Sequence, residues 1–178
     1  MQQSTLVVIT GHPGSGKSSI GKQLADQSNV PFISKDTLKE YMFDALGTKD
    51  KTWSLQVSAA AHRIMDYMIG EELRTGNSVI VESNFKVNID SERFNRIAKQ
   101  YDAKLIQIMC EADGKVLFDR WTARITSGQR HQGHVEAIGL EQIKQDLAQP
   151  YPPLQLDGEL IRLNTTDFSK LQLPRLDI

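Results

Sequence analysis

Gly11-His12-Pro13-Gly14-Ser15-Gly16-Lys17-Ser18 meets the pattern G-x-x-x-x-G-K-[ST] at every defined position. It follows the short apolar run Leu6-Val7-Val8-Ile9 and opens a pattern in which Ile20, Leu24 and Ala25 fall on one helical face. Strand, glycine-rich loop and helix are the context in which this pattern binds phosphate. Glycines let the loop wrap closely around a polyphosphate. Successive backbone N–H groups and the helix N-terminus then face the anion. Lys17 is placed to reach the β- and γ-phosphates of a nucleotide, and the Ser18 hydroxyl to ligate Mg²⁺. Gly11, Pro13, Gly14, Ser15, Gly16, Lys17, Ser18 and Ser19 are therefore the expected nucleotide-binding run, with ATP and Mg²⁺ as the expected cofactors.

The bulk composition narrows the class. The chain has 178 residues, enough for one α/β domain with a real core, and 24% charged against 39% hydrophobic residues, as in a soluble globular protein. A net charge of −1 creates no general field toward nucleic acid or acidic membranes, although a local basic groove stays open as an option. Cys110 is the single cysteine, which rules out an internal disulfide and suits a reducing, cytoplasmic compartment. Its place at the end of an apolar run predicts a small buried side chain. No apolar stretch approaches the roughly 20 residues of a membrane span, and the N-terminus lacks the basic start of a signal peptide. No composition shift marks a domain boundary, and nothing in the pattern reads on oligomeric state.

Strand and helix signals alternate along the chain. Further strands are predicted at Val30–Ser34, Ser78–Glu82, Lys104–Cys110 and Leu160–Leu163. Helices are predicted from Asp36, taken as the N-cap, to Gly47, and from about Trp53 to Arg74, with Ala61, Ile64, Met65, Met68, Ile69 and Leu73 as a core stripe. Others are expected around Asp90–Lys99, Ala112–Ile125 and Glu141–Ala148, the last broken by Pro150, Pro152 and Pro153. The polar stretch from Thr126 to Ala137, which bears Gly128 and Gly133, shows no core pattern and reads as a mobile loop. The tail after Lys170 is ambiguous. Alternating strands apolar on both sides imply a parallel sheet with helices on both faces. Ligands of such sheets bind beyond the C-terminal strand ends. The chemistry-bearing residues gather there: the loop itself, Ser34–Lys39, Glu82-Ser83-Asn84, and Thr165-Thr166-Asp167.

Three constellations accompany the loop. Asp36, after the second strand, is a helix cap by its residue type. It is also a carboxylate able to accept a proton from, or orient, a hydroxyl attacking the γ-phosphate. Glu82, after the third strand, is a candidate for Mg²⁺ through its water shell, with Asn84 as a partner. Arg120 and Arg124 lie four apart on one helix face, and Arg130 follows in the glycine-bearing loop. Solvated arginines are the ordinary reading of such a pair. Beside a phosphate-binding loop they become candidates for a flap that closes over the triphosphate. His131 and His134 lack a Cys or acidic cluster at metal-ligand spacing and read as flap contacts or solvated side chains.

Taken together, GHPGSGKSSIGKQLA, ISKDTLKEYMF, VIVESNF and DRWTARITSGQRHQGHVE resemble the small P-loop kinases often named AAA-type ATPases or predicted kinases. The group is similar to the 5′-kinase domain of polynucleotide kinase, to zeta toxins and to chloramphenicol phosphotransferase. Gluconate and adenylate kinases are more distant. The resemblance spans about residues 4 to 167. It implies a three-layer P-loop NTPase fold over residues 1–178, with sheet order 2-3-1-4-5 and a small lid at about 124–140. It implies Lys17, Asp36, Arg120 and Arg124 as catalytic residues, with Asp36 the general base. It places Arg120, Arg124 and Thr165 at the nucleotide, one arginine packing near adenine, and Ser18 and Glu82 at the metal. Lys39 stands where the polynucleotide kinase branch has an arginine, and Glu82 where Asp is common, so the acceptor stays open. The expected activity is transfer of the ATP γ-phosphate to a hydroxyl of a small molecule or nucleoside. A polynucleotide 5′-hydroxyl acceptor and a non-kinase ATPase or nucleotide-binding regulator are the alternatives. No N-K-x-D segment for guanine is present.

Overall fold

The computed structural model describes residues 3–128, 130–134 and 139–178. Five strands form one parallel sheet: β1 (Thr5–Gly11), β2 (Phe32–Ser34), β3 (Val79–Glu82), β4 (Lys104–Glu111) and β5 (Glu159–Asn164), in the order β2-β3-β1-β4-β5. Among the described residues six α-helices connect them: α1 (Lys17–Ser28), α2 (Lys35–Leu46), α3 (Lys51–Arg74), α4 (Val87–Tyr101), α5 (Gly114–Thr126) and α6 (Leu140–Ala148).

The period-two alternation of strand side chains divides the core into two layers. Leu6, Val8, Val79, Val81 and Leu105 face Met65, Ile69 and Leu73 of α3 and Phe94, Ile97 and Ala98 of α4. Val7, Ile9, Ile80, Ile108 and Cys110 face Ile20, Leu24 and Ala25 of α1. Leu171, Leu173, Leu176 and Ile178 of the tail pack on that second layer, so the segment that is ambiguous in sequence covers an open edge of α1's face. Cys110 is buried as expected, and burial pushes its thiol up to about 12.

Two local expectations are corrected. Asp36 does not cap α2. Ser34 does, its hydroxyl accepting from the Thr37 N–H at 3.4 Å, and Asp36 sits in the first turn instead. A serine at the last position of the strand satisfies an orphan N–H just as an aspartate would, so residue type alone cannot choose between them. On α3 the buried stripe is Val57, Ala61, Met65, Ile69 and Leu73, while Ile64 and Met68 are exposed. The helix buries one i, i+4 row, narrower than the apolar stripe the sequence carries.

The register sets up the site. Ile9 pairs with Glu82, and Glu82 with Ser34. On the other side, Gly11 pairs with Cys110, and Cys110 with Leu163. The C-terminal ends of all five strands thus open on one edge. The chain leaves β1 toward β2 on one side and reaches β4 on the other, which makes that edge the crevice such sheets use for ligands.

Candidate active site

The phosphate loop spans the gap between β1 and α1, and glycine is required at both of its ends. Gly11 has φ 141°, and a Cβ there would lie 2.3 Å from the Cys110 carbonyl oxygen. Gly16 has φ 82°, and a Cβ there would lie 2.3 Å from Cζ of Phe168. Lys17 folds back over the loop and donates to the carbonyls of Gly11 at 3.0 Å and His12 at 2.7 Å. Burial pushes its ammonium below the ordinary lysine value, against the pull of Glu82. The first N–H groups of α1 have no intrahelical partner and carry the positive end of the helix dipole. The Ser15 hydroxyl is fully buried and has no hydrogen-bond partner among the described residues. Pro13 and Gly14 form the half-buried crest of the loop, and Ser19 is exposed on the first turn of α1.

Glu82 is only 2% exposed, and its hydrogen bonds among the described residues come from two hydroxyls. Ser18 donates to its Oε2 at 3.1 Å and Ser34 to its Oε1 at 2.9 Å. Asn84, expected beside it, is exposed. An all-oxygen set of one carboxylate and one hydroxyl next to a phosphate loop suits Mg²⁺, which takes the rest of its shell from phosphate and water. Among the described residues no group of three His, Cys, Asp or Glu side chains could hold a metal unaided.

The two arginines of α5 serve opposite ends of the crevice. Arg120 donates through Nη2 to the carbonyls of Thr165 at 2.8 Å and Thr166 at 3.1 Å, and its guanidinium lies 4.4 Å from the centre of the Phe168 ring. Its Nη1 is buried without a partner among the described residues. Thr165 is held by the Glu111 carbonyl through its N–H at 2.7 Å and its hydroxyl at 3.0 Å. Arg124, one turn further on, reaches the α2 side. There a cavity of about 280 Å³ is bounded by Ser18, Ser34, Thr37, the carboxylates of Asp36 and Glu40, the guanidiniums of Arg124 and Arg130, and His134.

Asp36 is paired with Lys35. Burial works to raise its pKa, yet Lys35, helped by His134 and Lys17, leaves the carboxyl below its ordinary value. Further along α2, His134 Nε2 lies 2.8 Å from Glu40 Oε1 and His131 Nε2 lies 3.0 Å from Asp44 Oδ1. The His131 ring stacks on Phe43 with centroids 5.7 Å apart. Gly133 presses on the same ring so closely that a Cβ would lie 2.1 Å from it, and its carbonyl accepts from Ser54 Oγ at 3.2 Å. Ser54 in turn accepts from the buried Lys39 at 2.9 Å. The expectation of an unanchored loop is therefore corrected for residues 130–134. They dock on α2 through imidazole–carboxylate pairs, a contact that hydrophobic periodicity cannot register. Gln129 and 135–138, also within the expected lid, lie outside the described residues.

Sequence reasoning missed Glu40 and Phe168; it set Ser34 among the residues at the strand ends and His134 among the flap contacts, without their partners. The spacing of Asp36, Glu40 and Asp44 at i, i+4, i+8 was the available sign of an acidic face on α2. Ser34 and Phe168 carry no such sign, because strand register and the path of the tail bring them in.

A parallel sheet of this order with a phosphate loop at its switch point and paired arginines opposite defines a P-loop nucleotide-binding protein of the small-kinase type. The model of the AAA domain family matches residues 6–150, and the chain belongs to that family. A candidate kinase from Chloroflexus aurantiacus is 37% identical, with 97% of this chain and 94% of that one superposed at a TM-score of 0.90. The cytidylate kinase of Ignicoccus hospitalis is 34% identical over 86 residues, which take in 43% of this chain and 45% of that enzyme. The chain thus spans under half the length of this curated relative. The APS kinase of Mycobacterium tuberculosis shares the fold at a TM-score of 0.58 and 16% identity. No described helix is long and apolar enough to cross a membrane.

Proposed function

We propose that the protein is an ATP-dependent phosphotransferase acting on a hydroxyl of a small molecule or nucleoside, in a reducing, cytoplasmic compartment. The observation that carries this reading is the juxtaposition of Asp36, Ser18 and Arg124 around one cavity beside the phosphate loop. The loop N–H groups and Lys17 take the phosphates, Lys17 exchanging its two loop carbonyls for phosphate oxygens. Ser18 and Glu82 would hold Mg²⁺, which would supply charge neutralisation for the phosphates. Arg120, stacked on Phe168 and anchored by the Thr165 carbonyl, faces the base. Arg124 and Arg130 turn to the γ-phosphate as the segment at about 124–140 acts as a lid.

In the transfer step the acceptor oxygen forms a bond to the γ-phosphorus. The bond from that phosphorus to the β–γ bridging oxygen breaks, and its electron pair leaves with ADP. The hydroxyl proton passes to the Asp36 carboxylate. A carboxylate kept below its ordinary pKa by Lys35 is a weak base. It orients the hydroxyl through most of the reaction and takes the proton late, as suits a loose phosphoryl-transfer transition state.

A second reading, transfer to a phosphate of a nucleotide, is favoured by the likeness to the Ignicoccus hospitalis cytidylate kinase. ADP release measured with a panel of hydroxyl compounds, nucleotides and a 5′-hydroxyl oligonucleotide tests both. The expected result is acceptor-dependent ADP release with a phosphorylated alcohol as product, lost in Lys17→Ala. Wild-type ATP affinity and turnover in a folded Lys17→Ala protein would sink the nucleotide assignment itself.

A further inference from the structure

The charges that face the acceptor cavity restrict what can enter it. α2 presents Asp36, Glu40 and Asp44 at intervals of four residues, hence on one face. Two of these carboxylates, Asp36 and Glu40, line the cavity. The cations facing it are Arg124 and Arg130. In the proposed reaction both are engaged by the triphosphate, so neither is left for the acceptor. Lys35, also near, is paired with Asp36. Lys39, one turn along α2, is buried and directs its ammonium to Ser54 Oγ at 2.9 Å. Among the described residues that line the cavity, His134 is the remaining titratable group. Burial lowers its pKa more than Glu40 and Asp36 raise it, which favours the neutral ring at physiological pH. With ATP in place, the acceptor therefore meets the hydroxyls of Ser34 and Thr37, a neutral imidazole, and the Glu40 carboxylate, with no further cation among the described lining residues. A carboxylate or phosphate brought into this space would lie within a few ångströms of a like charge, partly shielded from water, where Coulomb repulsion is several times that in bulk solvent.

We infer that the acceptor is an electrically neutral or cationic hydroxyl compound, and that Glu40 is the residue that turns away acceptors carrying a carboxylate or a phosphate. The inference rests on the phosphotransferase reading above and narrows its acceptor. Glu40 acts in two ways. It places negative charge on the cavity wall, and it holds His134 at 2.8 Å, which ties the docked segment to the acceptor side. A neutral polyol gains hydrogen bonds from both groups. A cationic amine gains the carboxylate as a counter-ion.

The test uses the full chain with ATP and Mg²⁺ and acceptors in matched sets: a hexose, its 2-amino derivative and its aldonic acid; and a nucleoside, its 5′-monophosphate and a 5′-hydroxyl oligonucleotide. Product mass identifies the transferred phosphate. The neutral and amino members should exceed their anionic counterparts in kcat/KM by at least about tenfold. Glu40→Gln keeps a side chain that reaches His134, and should narrow that ratio to within about threefold by lowering KM for the anionic members. Glu40→Lys, the second variant, should invert the preference, with a thermal melt confirming that each variant is folded. Wild-type preference for the aldonic acid, the monophosphate or the oligonucleotide overturns the inference and leaves the kinase reading standing. So does a ratio that neither variant moves. ATP binding without transfer to any member overturns the kinase reading and the inference together.

Discussion

A carboxylate buried to 2% exposure, hydrogen-bonded among the described residues only by two serine hydroxyls and attracted by the Lys17 ammonium, is costly to fold around unless it serves a charge. Glu82 is such a residue, and its neighbours Ser18 and Ser34 come from the phosphate loop and the end of β2. One carboxylate therefore ties the nucleotide half of the crevice to the acceptor half. Asp36 sits two residues beyond Ser34 and inherits its position from the same row. Asp36→Asn should lower phosphoryl transfer by about 10²–10⁴, the usual effect of losing a positioned acid–base group, with ATP affinity unchanged. Because Ser34 and not Asp36 caps α2, the substitution removes only a first-turn carboxylate and its pairing with Lys35. Stability should fall by no more than about 1 kcal/mol. Steady-state kinetics and a urea melt on the same preparation check both numbers. Normal turnover would return Asp36 to a structural role.

Among the elements, α2 and the segment 130–134 act as one unit. Phe43 is the hub: His131 stacks on it, Gly133 presses on it, and Lys39 lies 5.3 Å from its centre. Gly133→Val has no room for its side chain and should lift the segment from α2. Amide exchange of residues 130–134 should accelerate and transfer should drop, while nucleotide binding at the loop persists. Unchanged exchange would mean that Phe43 does not hold the segment. α3 and α4 are joined by a different device. Arg93 donates from Nη1 to His62 Nδ1 at 3.1 Å, pairs with Asp90 at 2.8 Å, and lies over the Phe94 ring. Accepting from a guanidinium requires a neutral imidazole, and burial, followed by Arg93, lowers the His62 pKa from 6.5 to about 4. Between those values the unfolded chain binds a proton that the native chain refuses. The stabilisation from His62 is therefore complete above about pH 6.5 and lost as pH falls toward 4. His62→Gln should flatten the fall of unfolding free energy over that window in denaturant melts taken from pH 7 to 4. An unaltered slope would remove His62 from the acid response.

Over the whole molecule, the five strand ends meet on one edge, so a ligand there touches both halves of the sheet at once. Saturating ATP and Mg²⁺ at about 100 times the dissociation constant should stabilise the native state by about 2.7 kcal/mol. For a chain of this length that corresponds to a rise of about 5–11 °C in melting temperature. The shift should vanish in Lys17→Ala, and calorimetry with and without nucleotide measures it. A wild-type melting temperature indifferent to nucleotide would contradict the assignment of the loop.

The division between sequence and tertiary structure follows the range of the forces involved. Strand, loop and helix around Gly11–Ser18 were legible because steric and hydrogen-bonding rules act within a few residues, and only glycine tolerates the backbone at Gly11 and Gly16. The two-layer α/β architecture was legible because the strands between the helices are apolar on both faces. The sheet order came with the family resemblance, since the order of strands is a matter of long-range pairing. The remaining features depend on contacts between residues far apart in the chain. Ser34 meets Glu82 through strand register across 48 positions, and His134 meets Glu40 across 94. Phe168 reaches Gly16 because the chain beyond β5 turns back over the loop. The apolar tail finds its place on the face of α1 only once the sheet exists to receive it. Residue type and periodicity determined where the proposed phosphate site lies. The walls of the proposed acceptor cavity were decided by polar pairs between helix, strand end and loop, which no local pattern encodes because their energy arises only when the folded chain brings the charges together.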